Sequence, residues 1–203
     1  MDNNFKNTWC VNDTRLYSHY EELFSNEQAI LRYAGIDKFD LNNGIGIGVT
    51  LFMQYCTHHC KGCQNPSTWS KDGGKQFDVT VLNELFSALA NNNITRLTLS
   101  GGDPLDSLKL STYIATEFKY LYPQKSLWIY TGYKYEEICN QPEYQEILRL
   151  CDVLVDGEFQ IENKDLSLQF RGSKNQRIID IKKTIESGII VLWNMKYKGE
   201  TKK

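Results

Sequence analysis

The sequence predicts a single α/β domain organised around a parallel sheet. From residue 47 onward, short apolar runs rich in branched or aromatic residues alternate with stretches of helical spacing. The chemically distinctive residues fall just after those apolar runs, where α/β sheets place their sites. A third observation is length: 203 residues fit one core, and such a chain buries about 70% of its unfolded surface without needing disulfides. Hydrophobic content of 41% and charged content of 24% are ordinary for a globular protein. A net charge of -2 gives no reason to expect a nucleic-acid or membrane-surface partner. No apolar stretch approaches bilayer length, and "MDNNFKNTWCVNDTRLYSHYEE" lacks the apolar core of a signal peptide, so a cytoplasmic protein is expected.

Residues 1–30 are rich in Asn and Tyr without clear periodicity, and we read them as an N-terminal extension preceding a domain over 31–203. The first strand is "IGVTLFM". Asp78 caps a helix whose apolar face is Val81, Leu82, Leu85, Phe86 and Leu89, and "NNN" at 91–93 ends it before the strand "ITRLTLS". A helix carrying Leu108, Ile114 and Phe118 leads to the strand "SLWIYTG". A helical stretch around Tyr144 to Leu150 then leads to the strand "DVLVDG". A polar linker runs through "RGSKNQR" to a helix near Ile181 to Glu186, and "GIIVLWN" closes the series as the last strand, followed by a basic, solvated end, "KYKGETKK". Strands separated by such helices favour a parallel sheet with right-handed crossovers, either doubly wound or a partial barrel. The cysteine loop, "GGDP" and "TGY" each follow a strand, so three loops converge on one rim.

Cys56, Cys60 and Cys63 have C-x3-C-x2-C spacing, which lets one loop turn three thiolates towards one centre. In a reducing compartment, clustered thiols point first to metal binding or catalysis. Soft thiolates select zinc, copper(I) or an iron–sulfur cluster. Zinc would want a fourth ligand, and His58 or His59 would strain the loop to supply one. A 4Fe-4S cluster has four corners, and three cysteines leave one iron to a ligand from outside the chain. Cys10, Cys139 and Cys151 lack ligand spacing; Cys151, and similarly Cys139, read as buried small hydrophobes and Cys10 as a free thiol. "GGDP" alone is an ordinary turn. Beside the cysteine loop it becomes a place where a ligand could lie against bare backbone.

Taken together, "NGIGIGVTLFMQYCTHHCKGCQNPSTW", "LTLSGGDPL", "LWIYTGY", "VLVDGEF" and "FRGSKNQR" make about residues 31–181 similar to the activating enzymes of anaerobic (class III) ribonucleotide reductases, in the radical S-adenosylmethionine (SAM) superfamily. The resemblance implies a partial (β/α)6-type radical SAM barrel with a 4Fe-4S cluster on Cys56, Cys60 and Cys63. It implies that SAM chelates the open iron, and that an electron from the reduced cluster breaks its S–C5′ bond. The resulting 5′-deoxyadenosyl radical would take a hydrogen atom from a backbone glycine of the reductase large subunit, the electron coming from a donor such as reduced flavodoxin. By the same resemblance Gly62 and Gln64 lie near adenine, and Gly101, Gly102 and Asp103 near the SAM amino group. Thr131 and Gly132 then lie near its ribose or carboxylate, and Arg171, Ser173 and Asn175 orient SAM or the incoming loop, or stabilise their own loop. Gly48 departs from the pattern, because the family usually shows arginine there; any contact it makes must be absent or supplied elsewhere. Three rivals stand beside this reading: an activase of another glycyl radical enzyme of pyruvate formate-lyase type, a small-molecule enzyme of the deazaguanine-forming type, and a zinc-stabilised binding module.

Overall fold

The computed structural model describes residues 30–194. The extension expected over 1–30 lies outside the described residues except for Ile30, as do Cys10 and the basic end. Among the described residues there are seven strands: β1 (Arg32–Asp40), β2 (Gly48–Met53), β3 (Lys75–Gln76), β4 (Arg96–Gly101), β5 (Ser126–Tyr130), β6 (Val153–Asp156) and β7 (Arg177–Asp180). They form one sheet in the order β3-β1-β2-β4-β5-β6-β7. The helices are α1 (Val79–Leu89), α2 (Leu108–Leu121), α3 (Tyr135–Ile138), α4 (Gln145–Leu150) and α5 (Ile181–Ser187).

Local signals placed these elements well. Asp78 accepts a hydrogen bond from Val81 N at the start of α1, and the five apolar residues assigned to its inner face are all buried. Only β2, β4, β5 and β6 pair in parallel. The expected all-parallel sheet is instead mixed, with β1 antiparallel to β2 and β7 antiparallel to β6. The alternation along β1 is blurred by register shifts between Tyr33 and Gly35 and between Asp37 and Asp40, which explains why "RYAGIDKFD" did not read as a strand. "GIIVLWN" is not a strand among the described residues: it makes a single antiparallel bridge, Ile179 to Leu192, flanked by Trp193 N donating to Ile178 O. A parallel crossover needs a dozen or more residues. Here α5 ends at Ser187, and Gly188 turns the chain straight back along β7.

The period-two alternation of the parallel strands divides the protein. Val49, Leu51, Met53, Leu97, Leu99, Leu127 and Ile129 face the helices and join the main core with Leu85, Ile114 and Phe118. On the opposite face Trp128, Val153, Val155 and Ile178 form a separate cluster, packed by Tyr130, Phe170 and Trp193 with no helix residue among them. This second face also carries Phe52, Ser100 and Tyr130 into a cavity, so the side of the sheet without helices is the side available to a ligand.

Gly48 lies on that second face. Its register partner is Arg96, and a β-carbon at 48 would sit 2.5 Å from the Arg96 guanidinium carbon. An arginine is therefore supplied at this place by the neighbouring strand. Arg96 is fully buried, ion-paired to Asp40, and donates to the carbonyls of Gly44 and Gly46 at 2.7 and 2.8 Å. It pins the connection between β1 and β2, whose Leu41, Asn42 and Asn43 form part of the cavity wall.

Candidate iron–sulfur and ligand site

A cavity of about 820 Å³ gathers the loops that follow β2, β4, β5 and β6. Cys56, Cys60, Cys63, Gln64, Gly101, Gly102, Asp103, Thr131, Gly132 and Arg171 all line it, while Gly62, Ser173 and Asn175 do not. The cysteine loop leaves β2 through Tyr55 at φ 86° and turns again at His59 at φ 49°. Non-glycine residues rarely hold these conformations, and here backbone bonds from Tyr55 N to Thr68 O and Cys56 N to Trp69 O impose the path. Gly62 stands at φ 75°, the left-handed turn that brings Cys63 back towards Cys60.

The donor set fits a cluster better than a single ion. Tetrahedral zinc would want a fourth ligand, and the two histidines between the cysteines are engaged elsewhere, His58 with Asp103 and Glu158 and His59 stacked on Trp69. Three thiolates of one loop on one open cavity suit three corners of a polynuclear centre whose fourth is left to another ligand. Burial and the Asp103 carboxylate push the Cys56 thiol up to about 12, against backbone hydrogen bonds at His58 and His59 that lower it. Iron binding must therefore displace a proton from this thiol.

Asp103 is 1% exposed, and its carboxylate is turned towards its own protein. Oδ1 accepts from Leu105 N at 2.9 Å; Oδ2 accepts from Thr131 Oγ1 at 2.9 Å and Gly132 N at 2.8 Å, with His58 Nε2 at 3.0 Å. The Thr131 hydroxyl thus donates to Asp103. His58 combines burial, which would lower its pKa, with the Asp103 carboxylate at ion-pair distance and a hydrogen bond to Glu158, which raise it to about 9. Gly101 and Gly102 are set by loop packing: a β-carbon at Gly102 would meet Tyr55 O at 2.2 Å. Position 102 is therefore mechanically joined to the cysteine loop. Gly102→Ala is expected to cost about 1–3 kcal/mol of stability and to lower iron retention as well, as checked by denaturant midpoint and iron analysis. Full iron retention would show the two loops to be independent.

In "RGSKNQR", Ser173 is fully buried and accepts from Gln160 N, and Asn175 Nδ2 donates to Glu158 O at 2.8 Å, so both stabilise their loop. Arg171 reaches the cavity and its Nε is buried without a hydrogen-bond partner among the described residues. Sequence reading passed over Gln176, which lines the cavity, donates to Gly157 O at 3.0 Å and accepts from Gly172 N at 2.9 Å. It also missed the exchange between His58 and Glu158, which no local spacing signals.

The class defined by this fold and site is a single-cluster iron–sulfur domain: residues 42–179 match the family described as the 4Fe-4S single cluster domain. The chain is similar to the anaerobic ribonucleoside-triphosphate reductase-activating protein of Haemophilus influenzae, 43% identical over 143 residues that cover 68% of this chain and 91% of that protein. It is 37% identical over 150 residues to the protein of that name from Enterobacteria phage T4, covering 73% and 93% of the two chains. The Escherichia coli K12 protein of that name is 41% identical over 145 residues, covering 68% and 90%. The chain belongs to the family of anaerobic ribonucleoside-triphosphate reductase-activating proteins.

Proposed function

We propose that this chain is a radical SAM activating enzyme that installs a glycyl radical on the large subunit of anaerobic ribonucleotide reductase. The observation that carries the reading is the convergence of Cys56, Cys60 and Cys63 with the 101–102 and 131–132 turns on one cavity. The names of the relatives point to the same partner. Cys56, Cys60 and Cys63 would hold the 4Fe-4S cluster, whose fourth corner would bind SAM; together these groups would supply one-electron reductive cleavage of the sulfonium and removal of a hydrogen atom from the partner's glycine. The protein's own contribution is position and exclusion of water. Asp103 holds the 131–132 turn in place, which leaves the backbone around Gly101 and Gly102 to meet the SAM amino group. Arg171, with its unpartnered buried Nε, is the cation suited to a carboxylate. Gln64, which lines the cavity, contacts adenine through the loop backbone, and Gly62 shapes that loop from outside the cavity.

In this reading the four parallel strands, with helices gathered on one face, are the partial barrel. The enzyme works in the cytoplasm with a donor such as reduced flavodoxin. No helix among the described residues is long and apolar enough to cross a membrane. The test is anaerobic: reconstituted, reduced protein with SAM and the reductase should give 5′-deoxyadenosine and a glycyl radical signal in the reductase, lost when the partner's glycine becomes alanine. Activation of a pyruvate formate-lyase-type partner instead would change the partner, and turnover of a free metabolite without either would overturn the activase reading.

A further inference from the structure

The loops after β2, β4, β5 and β6 build most of the cavity, and one side chain of the first touches the other three. His58, between Cys56 and Cys60, is 10% exposed at its side chain. Its Nε2 lies 3.0 Å from Asp103 Oδ2 in the loop after β4, and its Nδ1 3.1 Å from Glu158 Oε1 in the loop after β6. Its ring stands edge-on to Tyr133, with centroids 4.5 Å apart, in the loop after β5. A β-carbon at Gly132 would fall 2.4 Å from that ring, so the contact is tight. The neighbouring His59 turns the other way and stacks on Trp69 at 4.8 Å. Asp106 makes a parallel tie, accepting from Thr57 N at 2.7 Å and from Tyr133 Oη at 2.9 Å, but it does not extend to the loop after β6.

A cluster held by three cysteines of one loop needs only that loop. A ligand spanning the cysteine loop and the 101–102 and 131–132 turns needs their spacing as well, and a loop with two strained residues does not keep its spacing unaided. We propose that His58 is a positioning residue: by bridging Asp103 and Glu158 it sets the cysteine loop against the other three, so that SAM affinity depends on it while cluster assembly does not. This rests on the SAM reading of the cavity. The fold survives its removal, because Asp106 still holds Thr57.

The test compares reconstituted wild-type protein, His58→Ala, His58→Gln and Glu158→Gln by iron and sulfide content, SAM dissociation constant, and the change that SAM causes in the electron paramagnetic resonance spectrum of the reduced cluster. Iron content and thermal midpoint should stay near wild type in all three variants. The dissociation constant should rise about tenfold in His58→Ala, with an altered SAM-bound spectrum, and less in Glu158→Gln, which keeps an oxygen acceptor for Nδ1 but loses the charge of one of the two bridges. His58→Gln, able to donate to one carboxylate, should recover part of the affinity. Unchanged affinity and spectrum in His58→Ala overturn the proposal, as does loss of iron in step with loss of affinity, which would make His58 a support of the cysteine loop alone. Absence of any SAM effect in the wild-type arm overturns the SAM reading itself and is seen without reference to the variants.

Discussion

Serine at Cys56, Cys60 or Cys63 is expected to leave the protein without a full cluster, whereas Cys139→Ser and Cys151→Ser should keep it. Only the first three share one loop and one cavity. A serine oxygen is a hard donor with a high pKa, and it replaces a thiolate poorly at iron. Cys151 is fully buried, and its sulfur sits 3.2 Å from Val153 O. A serine hydroxyl can donate to the same carbonyl, so the change should cost little beyond the transfer of one polar group. Cys139 is half-buried on α3's C-terminal side, where sequence suggested a buried hydrophobe; it too lies outside the cavity. Iron and acid-labile sulfide per chain, with the visible spectrum of anaerobically purified protein, decide the matter. A complete cluster in Cys60→Ser, or its loss from folded Cys151→Ser, would sink the assignment.

Arg96→Leu should lower stability by about 3–5 kcal/mol, the usual cost of leaving a buried charge without its partner. The substitution strips Asp40 of its cation and leaves the carbonyls of Gly44 and Gly46 without donors. Burial would raise the Asp40 pKa, but bonds from Thr50 and Asn42 N, with Arg96 beside it, hold it below the ordinary carboxylate value. A depressed pKa contributes stability above the unfolded value and loses it as the pH falls, so the wild-type protein should weaken in acid through this group. Without Arg96 the buried carboxyl's pKa should rise above its unfolded value, and stability should then fall as the pH rises. The gap between the two proteins should therefore narrow towards low pH, as read from denaturant midpoints across a pH series. A constant gap would mean that Arg96 acts through packing alone. Because Leu41, Asn42 and Asn43 line the cavity, a loosened connection should also weaken ligand binding.

What the sequence by itself determined is the part of the protein governed by near neighbours. The cap at Asp78, the apolar face of α1, the four parallel strands and the C-x3-C-x2-C loop depend on spacings of a few residues, and helical or strand periodicity reports them directly. The placement of the three site loops after strands likewise follows from local order along the chain. The tertiary structure alone decided what depends on residues brought from afar. Arg96 reaches the carbonyl of Gly44 across 52 positions, and His58 meets Glu158 across 100. The reduction of "GIIVLWN" to one antiparallel bridge turns on how few residues α5 and Gly188 leave for a crossover. Gly102 shows both sides: its lack of a side chain is written in the sequence, but the object that requires it, Tyr55 O on another loop, exists only once the strands have paired.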